Sequence, residues 1–384
     1  MWDIWQGDAR ALLRGMEEES FQCCVTSPPY WGLRDYKLEP LICGGNTECE
    51  HNWSVPTSKK RQSPRRDHDG RDFGPTRGLE PHRIEGAFKV SQGDFCSLCG
   101  AWRGSLGLEP TPELYTQHLV EIFREVRRVL RGDGTLFLNL GDSYATNGGH
   151  ADKGVTARRS EIAAGERPEY ALREFRCRPT AGLKPKDLIG IPWRVAFALQ
   201  ADGWYLRSAI IWRKMAPMPS SQKDRPTLSY EHIFLLAKSE RYFYDYVAAS
   251  EPFSDDRRGR DGGKQGRQRN RGGRTDGYTK PSSVDPSANE GRRGRDIWTF
   301  DFAYEDKEWK KRHSAKHYAS FPLELPHQAL SAGSKKGDLV LDPFAGTGTT
   351  MLAAERLGRD SIGIELNADY IRAAEARLKE ALSK

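Results

Sequence analysis

Apolar residues along this chain come in short bursts separated by long polar stretches. The first dense burst, Phe21-Gln22-Cys23-Cys24-Val25-Thr26, predicts a buried strand. Pro28 and Pro29 end it, because neither can donate to a sheet ladder. A helix is predicted from Thr111, with Thr111 as N-cap and Pro112 at the first helical position. Leu119, Ile122, Phe123, Val126, Val129 and Leu130 recur at helical spacing, and Gly132-Asp133-Gly134 stops the helix. The run 135–140 predicts a buried strand ending at the polar tip Gly141-Asp142-Ser143. A helix over 192–200 follows, then strands over 205–212 and 232–237, with a partner strand at 241–246. The last part predicts a strand over 338–341, a helix over 349–357, a strand over 361–365 and a helix over 368–381 capped by Asn367. Strands alternating with helices predict an α/β fold with a mostly parallel sheet.

Between these bursts lie segments without apolar period. Residues 43–108 are irregular, and their middle, 57–83, is rich in Lys, Arg, Gly and Pro; residues 146–182 and 251–296 are polar and basic. With 37% hydrophobic and 29% charged residues, the composition fits a globular core carrying polar excursions. A net charge of +7 favours an anionic partner without identifying one. No apolar run is long enough for a membrane span, and Met1-Trp2-Asp3 does not open a secretory signal. A cytoplasmic location is expected. The seven cysteines, an odd count, argue for reduced thiols or a metal site over a disulfide framework.

Two segments carry candidate chemistry. The first, Asp342-Pro343-Phe344-Ala345-Gly346-Thr347-Gly348-Thr349-Thr350, lies between an apolar strand and a helix. Glycines there let the backbone approach a ligand where a side chain would clash. The next strand ends at Glu365, whose carboxylate can accept hydrogen bonds from the ribose hydroxyls of an adenosine-containing cofactor. The turn lacks the Gly-Lys-Ser/Thr of a phosphate loop and the third glycine of the dinucleotide fingerprint. The competing reading is a glycine turn that binds nothing. The strand before it, the helix after it and the acid at the next strand's end weigh against that.

The second segment is Ser27-Pro28-Pro29-Tyr30, at a strand end where open α/β sheets place their chemistry. An exocyclic amine is a poor nucleophile because its lone pair is delocalised into the ring. Acceptors for both N–H groups draw the nitrogen toward tetrahedral geometry and free that pair. The Ser27 hydroxyl and the Pro28 carbonyl suit this task, with Pro28 and Pro29 fixing the backbone. Tyr30 can stack on a flat base. Taken alone, the segment could equally be a proline-stiffened loop with a packing tyrosine.

Together these segments resemble the amino-directed DNA methyltransferases of bacteria and their phages. The likeness rests on 26–30, on 342–350 and on Ile364-Glu365-Leu366. It extends to Gly7-Asp8, where the family's acid contacts the cofactor's adenine, and to 317–322, including Ser320 and Phe321, like the segment that touches the cofactor's methionine end. The tetrapeptide precedes the cofactor glycines, as in the permuted subgroup called beta. The core segments covered are 1–36, 109–145, 183–246 and 313–384.

The resemblance implies a Rossmann-like fold with helices on both faces of the sheet. It implies S-adenosylmethionine as cofactor, bound by Asp8, Ser320, Phe321, Asp342, Phe344, Gly346, Gly348, Thr349 and Glu365, with Ser27, Pro28, Pro29 and Tyr30 as the catalytic set. A target buried in double-stranded DNA implies base flipping. A serine before the two prolines goes in this family with N4 of cytosine, and an aspartate with N6 of adenine. Both groups accept from an amine, so adenine remains the alternative. A homodimer and a partner restriction nuclease are compatible with the family. The expected organisation is one catalytic domain over 1–384, with an inserted zinc-binding region at 43–108 and a target-recognition region at 247–312.

Cys96-Ser97-Leu98-Cys99-Gly100 resembles half of a zinc knuckle, and Cys49 with His51 could complete a Cys₃His set. Cys43 competes as a ligand; unbound thiols and a redox pair are the alternatives. Cys23 and Cys24 are expected as buried small residues. The basic stretches 57–83, 153–178 and 251–296 could neutralise backbone phosphates or be solvated loops. Trp298, Phe300 and Phe302 beside the last are expected in an ordered docking element. Two rival functions stand beside the main one. One is methylation of RNA or of a protein amide. The other is non-catalytic DNA binding by a degenerate methyltransferase fold with zinc.

Overall fold

A computed structural model of the chain describes residues 1–33, 36, 38–46, 48–53, 94–145, 183–217, 219–250, 294–300 and 321–382. Two compact units divide it. The first comprises 1–28, 119–141 and 191–384, and the second 29–118 and 142–190.

The first unit is built on an eight-stranded sheet. Its strands in chain order are β1 (Trp2–Gln6), β2 (Phe21–Thr26), β5 (Leu130–Leu140), β6 (Tyr205–Lys214), β7 (Tyr230–Ala237), β8 (Ile297–Phe300), β9 (Leu339–Asp342) and β10 (Asp360–Glu365). Their spatial order is β1-β10-β9-β2-β5-β7-β6-β8. Every neighbouring pair from β1 to β5 is parallel, and only β7 runs against its neighbours. All six residues of β2 are buried, as expected for a central strand covered on both faces. The helices of this unit are α1 (Ala9–Arg14), α3 (Ile191–Ala201), α4 (Glu324–Gly333), α5 (Thr349–Arg356) and α6 (Ala368–Leu382). Helix α2 (Pro112–Val129) runs through both units. Its predicted apolar face is buried at Leu119, Ile122, Phe123, Val126 and Val129. The Thr111 hydroxyl accepts from the Leu114 amide at 3.1 Å, the expected cap.

The second unit holds a short antiparallel strand pair, β3 (Leu41–Cys43) with β4 (Trp102–Gly104), at the two borders of the expected 43–108 insertion. The middle of that insertion, the basic stretch 153–178 and most of 247–312 lie outside the described residues.

Three expectations need correction. No strand forms over 241–246; β7 instead pairs with β5 and β6 on its two sides. The strand predicted over 135–140 starts at Leu130, directly after α2, so Gly132-Asp133-Gly134 lies within β5. Glycine allows this without closing a separate turn. Trp298 belongs to the core: it is 4% exposed in β8 and stacks on Phe137 with ring centroids 6.3 Å apart. An apolar ring on a strand paired to β6 gains more by burial than by exposure to a partner. Phe302 lies outside the described residues.

Candidate active site

Four parallel strands, β1, β10, β9 and β2, deliver their carboxyl ends to one edge of the sheet. That places Asp8, Glu365, the Asp342–Thr350 turn and Ser27 in sequence along the edge, each just at or past a strand end. This is where open α/β sheets bind ligands.

Asp342 ties the edge together. Its carboxylate is 2% exposed and accepts from the Thr26 hydroxyl at 2.6 Å, the Thr350 hydroxyl at 2.6 Å and the Phe344 amide at 3.0 Å. Burial pushes its carboxyl up to about 6, although the two hydroxyls and the amide pull the other way. The last residue before Ser27 is thus locked to the first residue of the glycine turn. Cofactor contact was expected of Asp342 itself; its oxygens are engaged by neighbours of its own chain.

The turn is shaped by Gly346 (φ 53°) and Gly348 (φ 73°), both left-handed. A Cβ on residue 348 would lie 3.1 Å from the Ala374 Cβ in α6, so space as well as torsion requires glycine there. The Ala345 amide donates to the Ile364 carbonyl at 2.9 Å, fastening the turn to β10. Thr349 is 4% exposed, and its hydroxyl accepts from buried Arg377 at 2.9 Å. Phe344 stays half-exposed at the edge.

Glu365 is half-buried. One carboxylate oxygen accepts from the Gly346 amide at 2.9 Å, the other from the Asn367 amide at 2.8 Å. Burial raises its pKa; the amides of Asn367, Gly346 and Leu366 oppose that. The carboxylate keeps acceptor capacity for an incoming hydroxyl. Asp8 caps α1 by accepting from the Ala11 amide at 3.1 Å. Phe321 is 9% exposed at the start of the segment leading to α4, and Ser320 lies outside the described residues.

The tetrapeptide crosses the boundary between units: Ser27 and Pro28 end the first, Pro29 and Tyr30 begin the second. Ser27 and Tyr30 are half-buried. Within the second unit the Pro29 carbonyl accepts from the Tyr115 hydroxyl at 2.8 Å. Gly107 (φ 92°) packs so closely that a Cβ on it would lie 3.1 Å from the Tyr30 carbonyl oxygen.

The family described as DNA methylase, of the N6/N4 type, matches residues 21–376. The chain belongs to this family. It is a DNA amino-methyltransferase with a Rossmann-like methyltransferase fold. The chain is 35% identical over 373 residues to the Type II methyltransferase M.SmaI of Serratia marcescens, covering 97% of this chain and 89% of that protein. It is also 35% identical over 376 residues to the Type II methyltransferase M.XycI of Xanthomonas campestris pv. cyanopsidis, covering 98% and 87%. The solved PvuII DNA methyltransferase, described as cytosine-N4-specific, superposes with a TM-score of 0.53 at 15% identity, covering 100% of this chain and 91% of that one. That likeness concerns the fold. No helix among the described residues is long and apolar enough to cross a membrane.

The second unit brings Cys49, His51, Cys96 and Cys99 together, with their ligand atoms all within 4.8 Å of one another. Cys23 and Cys24 are fully buried in β2. Sequence reasoning missed Thr26, Thr350 and Arg377 as organisers of the turn. Thr26 and Thr350 stood inside the quoted motifs, but nothing local indicated that Thr26 would meet a carboxylate 316 residues away.

Proposed function

We propose that this chain is a site-specific Type II enzyme that transfers a methyl group from S-adenosylmethionine to the N4 amine of a cytosine flipped out of double-stranded DNA. One observation carries the reading. The 2.6 Å hydrogen bond from Thr26 to Asp342 couples the strand end bearing Ser27 to the glycine turn, so substrate-side and cofactor-side motifs are parts of one edge.

The residues present fit the cofactor. Glu365 offers a carboxylate already aimed by two backbone amides, suited to a pair of ribose hydroxyls. Gly346 and Gly348 keep the turn free of side chains, and half-exposed Phe344 offers an apolar face beside it. Asp8, one strand beyond Glu365, is the residue for the adenine side, and Phe321 for the methionine side. Bound S-adenosylmethionine supplies an electrophilic methyl group on a sulfonium centre.

The chain's own contribution is to make an amine nucleophilic. The Ser27 hydroxyl oxygen and the Pro28 carbonyl accept the two amine hydrogens, which favours the tetrahedral nitrogen of the transition state over the planar one of the free base. Tyr30 stacks on the extruded ring. Ser27 in place of an aspartate supports cytosine over adenine. Action beside a partner restriction nuclease belongs to the same reading.

Sequencing DNA from cells expressing the chain, with a readout that separates N4-methylcytosine from N6-methyladenine, tests it. The expected result is N4-methylcytosine at one recurrent sequence. N6-methyladenine at such a sequence would overturn the base, and methyl transfer to RNA alone would overturn the substrate.

A further inference from the structure

We propose that Cys49, His51, Cys96 and Cys99 bind one zinc ion in a closed structural site that fastens the inserted segment of the second unit. The four residues come from two stretches 47 residues apart, yet their ligand atoms converge within 4.8 Å. The spacings fit a tetrahedral ion. Two thiolates each ~2.3 Å from zinc lie ~3.8 Å apart, and a thiolate and an imidazole nitrogen ~3.6 Å apart. The observed Cys49 Sγ to Cys96 Sγ distance is 3.9 Å, and Cys99 Sγ to His51 Nδ1 is 3.4 Å. A disulfide needs sulfurs at ~2.05 Å, far inside that separation.

The backbone is shaped for a metal knuckle. The Gly100 amide donates to the Cys96 carbonyl at 2.9 Å, closing a turn over Cys96–Cys99, and Gly100 takes the left-handed φ of 74° as the chain leaves that turn. The Leu98 amide points at the Cys96 sulfur at 3.4 Å, a contact that favours thiolate. The Ser97 amide donates to the Asn52 carbonyl at 2.9 Å, joining the two ligand stretches. Cys43, the competing ligand, lies outside the cluster and its thiol faces the Leu41 carbonyl at 4.0 Å.

The local fold gives such an ion work to do. Strands β3 and β4 have three residues each, too few to be stable as a lone two-stranded sheet. Four protein ligands leave no open position, which distinguishes a structural from a catalytic zinc. The knuckle continues through Trp102, which stacks on His118 with ring centroids 5.5 Å apart. His118 Nδ1 lies 2.9 Å from Glu109 Oε1, and Glu109 Oε2 accepts from the Gly107 amide at 2.8 Å. Gly107 is the residue packed against Pro29 and Tyr30. The ion therefore stands at one end of a continuous row of contacts inside the second unit.

Metal analysis of the full chain, purified without chelator or added metal, is expected to find about one zinc per chain. Less than about a tenth of an equivalent would overturn the site. Cys99→Ser is expected to lose the zinc while Cys43→Ser keeps it, with cooperative thermal unfolding of the full chain as the check that each variant is folded. Zinc lost in Cys43→Ser and kept in Cys99→Ser would overturn the ligand set. Should Cys99→Ser not fold, cobalt exchanged into the unaltered chain decides. Intense visible bands of a tetrahedral, thiolate-rich centre are expected, and the weak spectrum of an octahedral ion would refute the proposal. None of these readouts depends on which base is methylated.

Discussion

Glu365 has one backbone amide on each carboxylate oxygen, so its orientation is set before any ligand arrives. Replacing it by alanine removes charge-assisted acceptors. Calorimetry on Glu365→Ala is expected to show S-adenosylmethionine affinity weakened by on the order of 1.5–3 kcal/mol; unchanged affinity would remove Glu365 from the cofactor site. On the proposed mechanism Ser27 acts chiefly as the amine becomes tetrahedral. Ser27→Ala should therefore lower kcat far more than DNA affinity in single-turnover methyl transfer. Tyr30→Ala loses a stacking surface worth roughly 1–3 kcal/mol, and should weaken productive DNA binding while cofactor affinity holds. If both variants transfer methyl groups at the parent rate, the tetrapeptide is only a turn.

At the scale of elements, the decisive joint is β2 to β9 through Asp342. Its folded pKa of about 6 lies above the ordinary 3.8. Between those values the folded chain keeps a proton that the unfolded chain has released. The contribution of Asp342 to stability is therefore fully present below about pH 4 and is lost as pH rises through about 6, on the order of 3 kcal/mol over the window. Asp342→Asn cannot titrate, so urea unfolding of the variant across this range should show a correspondingly flatter loss of stability. Equal pH slopes for variant and parent would mean that the carboxylate is not held as described. The motif around Asp342 was legible in the sequence as a strand, a glycine turn and a helix. The locking of Thr26 onto it was not, because a hydroxyl's partner across 316 residues depends on strand order, which no local pattern encodes.

For the whole molecule, the division into two units separates consequences. The residues proposed to hold the cofactor, Asp8, Phe344, Gly346, Gly348 and Glu365, all belong to the first unit, as does Asp342. The Glu109–His118 pair is buried in the second, with exposures of 2% for both residues. Glu109→Ala strands a buried partner and releases Gly107, costing on the order of 3 kcal/mol. Thermal melting should report a destabilised protein with reduced methyl transfer to DNA, while S-adenosylmethionine affinity stays within about twofold of the parent. A matching loss of cofactor affinity would contradict the independence of the first unit's edge.

By itself the sequence determined the elements whose signals are local. Periodicity and caps marked β2, α2, α3, β9, α5, β10 and α6, and glycine and proline chemistry marked the two motifs. It also determined which residue types could accept an amine's hydrogens or hold a metal. Tertiary structure decided what depends on distant partners. It set the antiparallel placement of β7 between β5 and β6, the burial of Trp298 in β8, and the choice of Cys49 over Cys43 beside Cys96 and Cys99. Elements of three residues such as β3 and β4 carry too few residues to show a period. Their conformation is settled by the neighbours they pair with, and those neighbours are close only once the chain has folded.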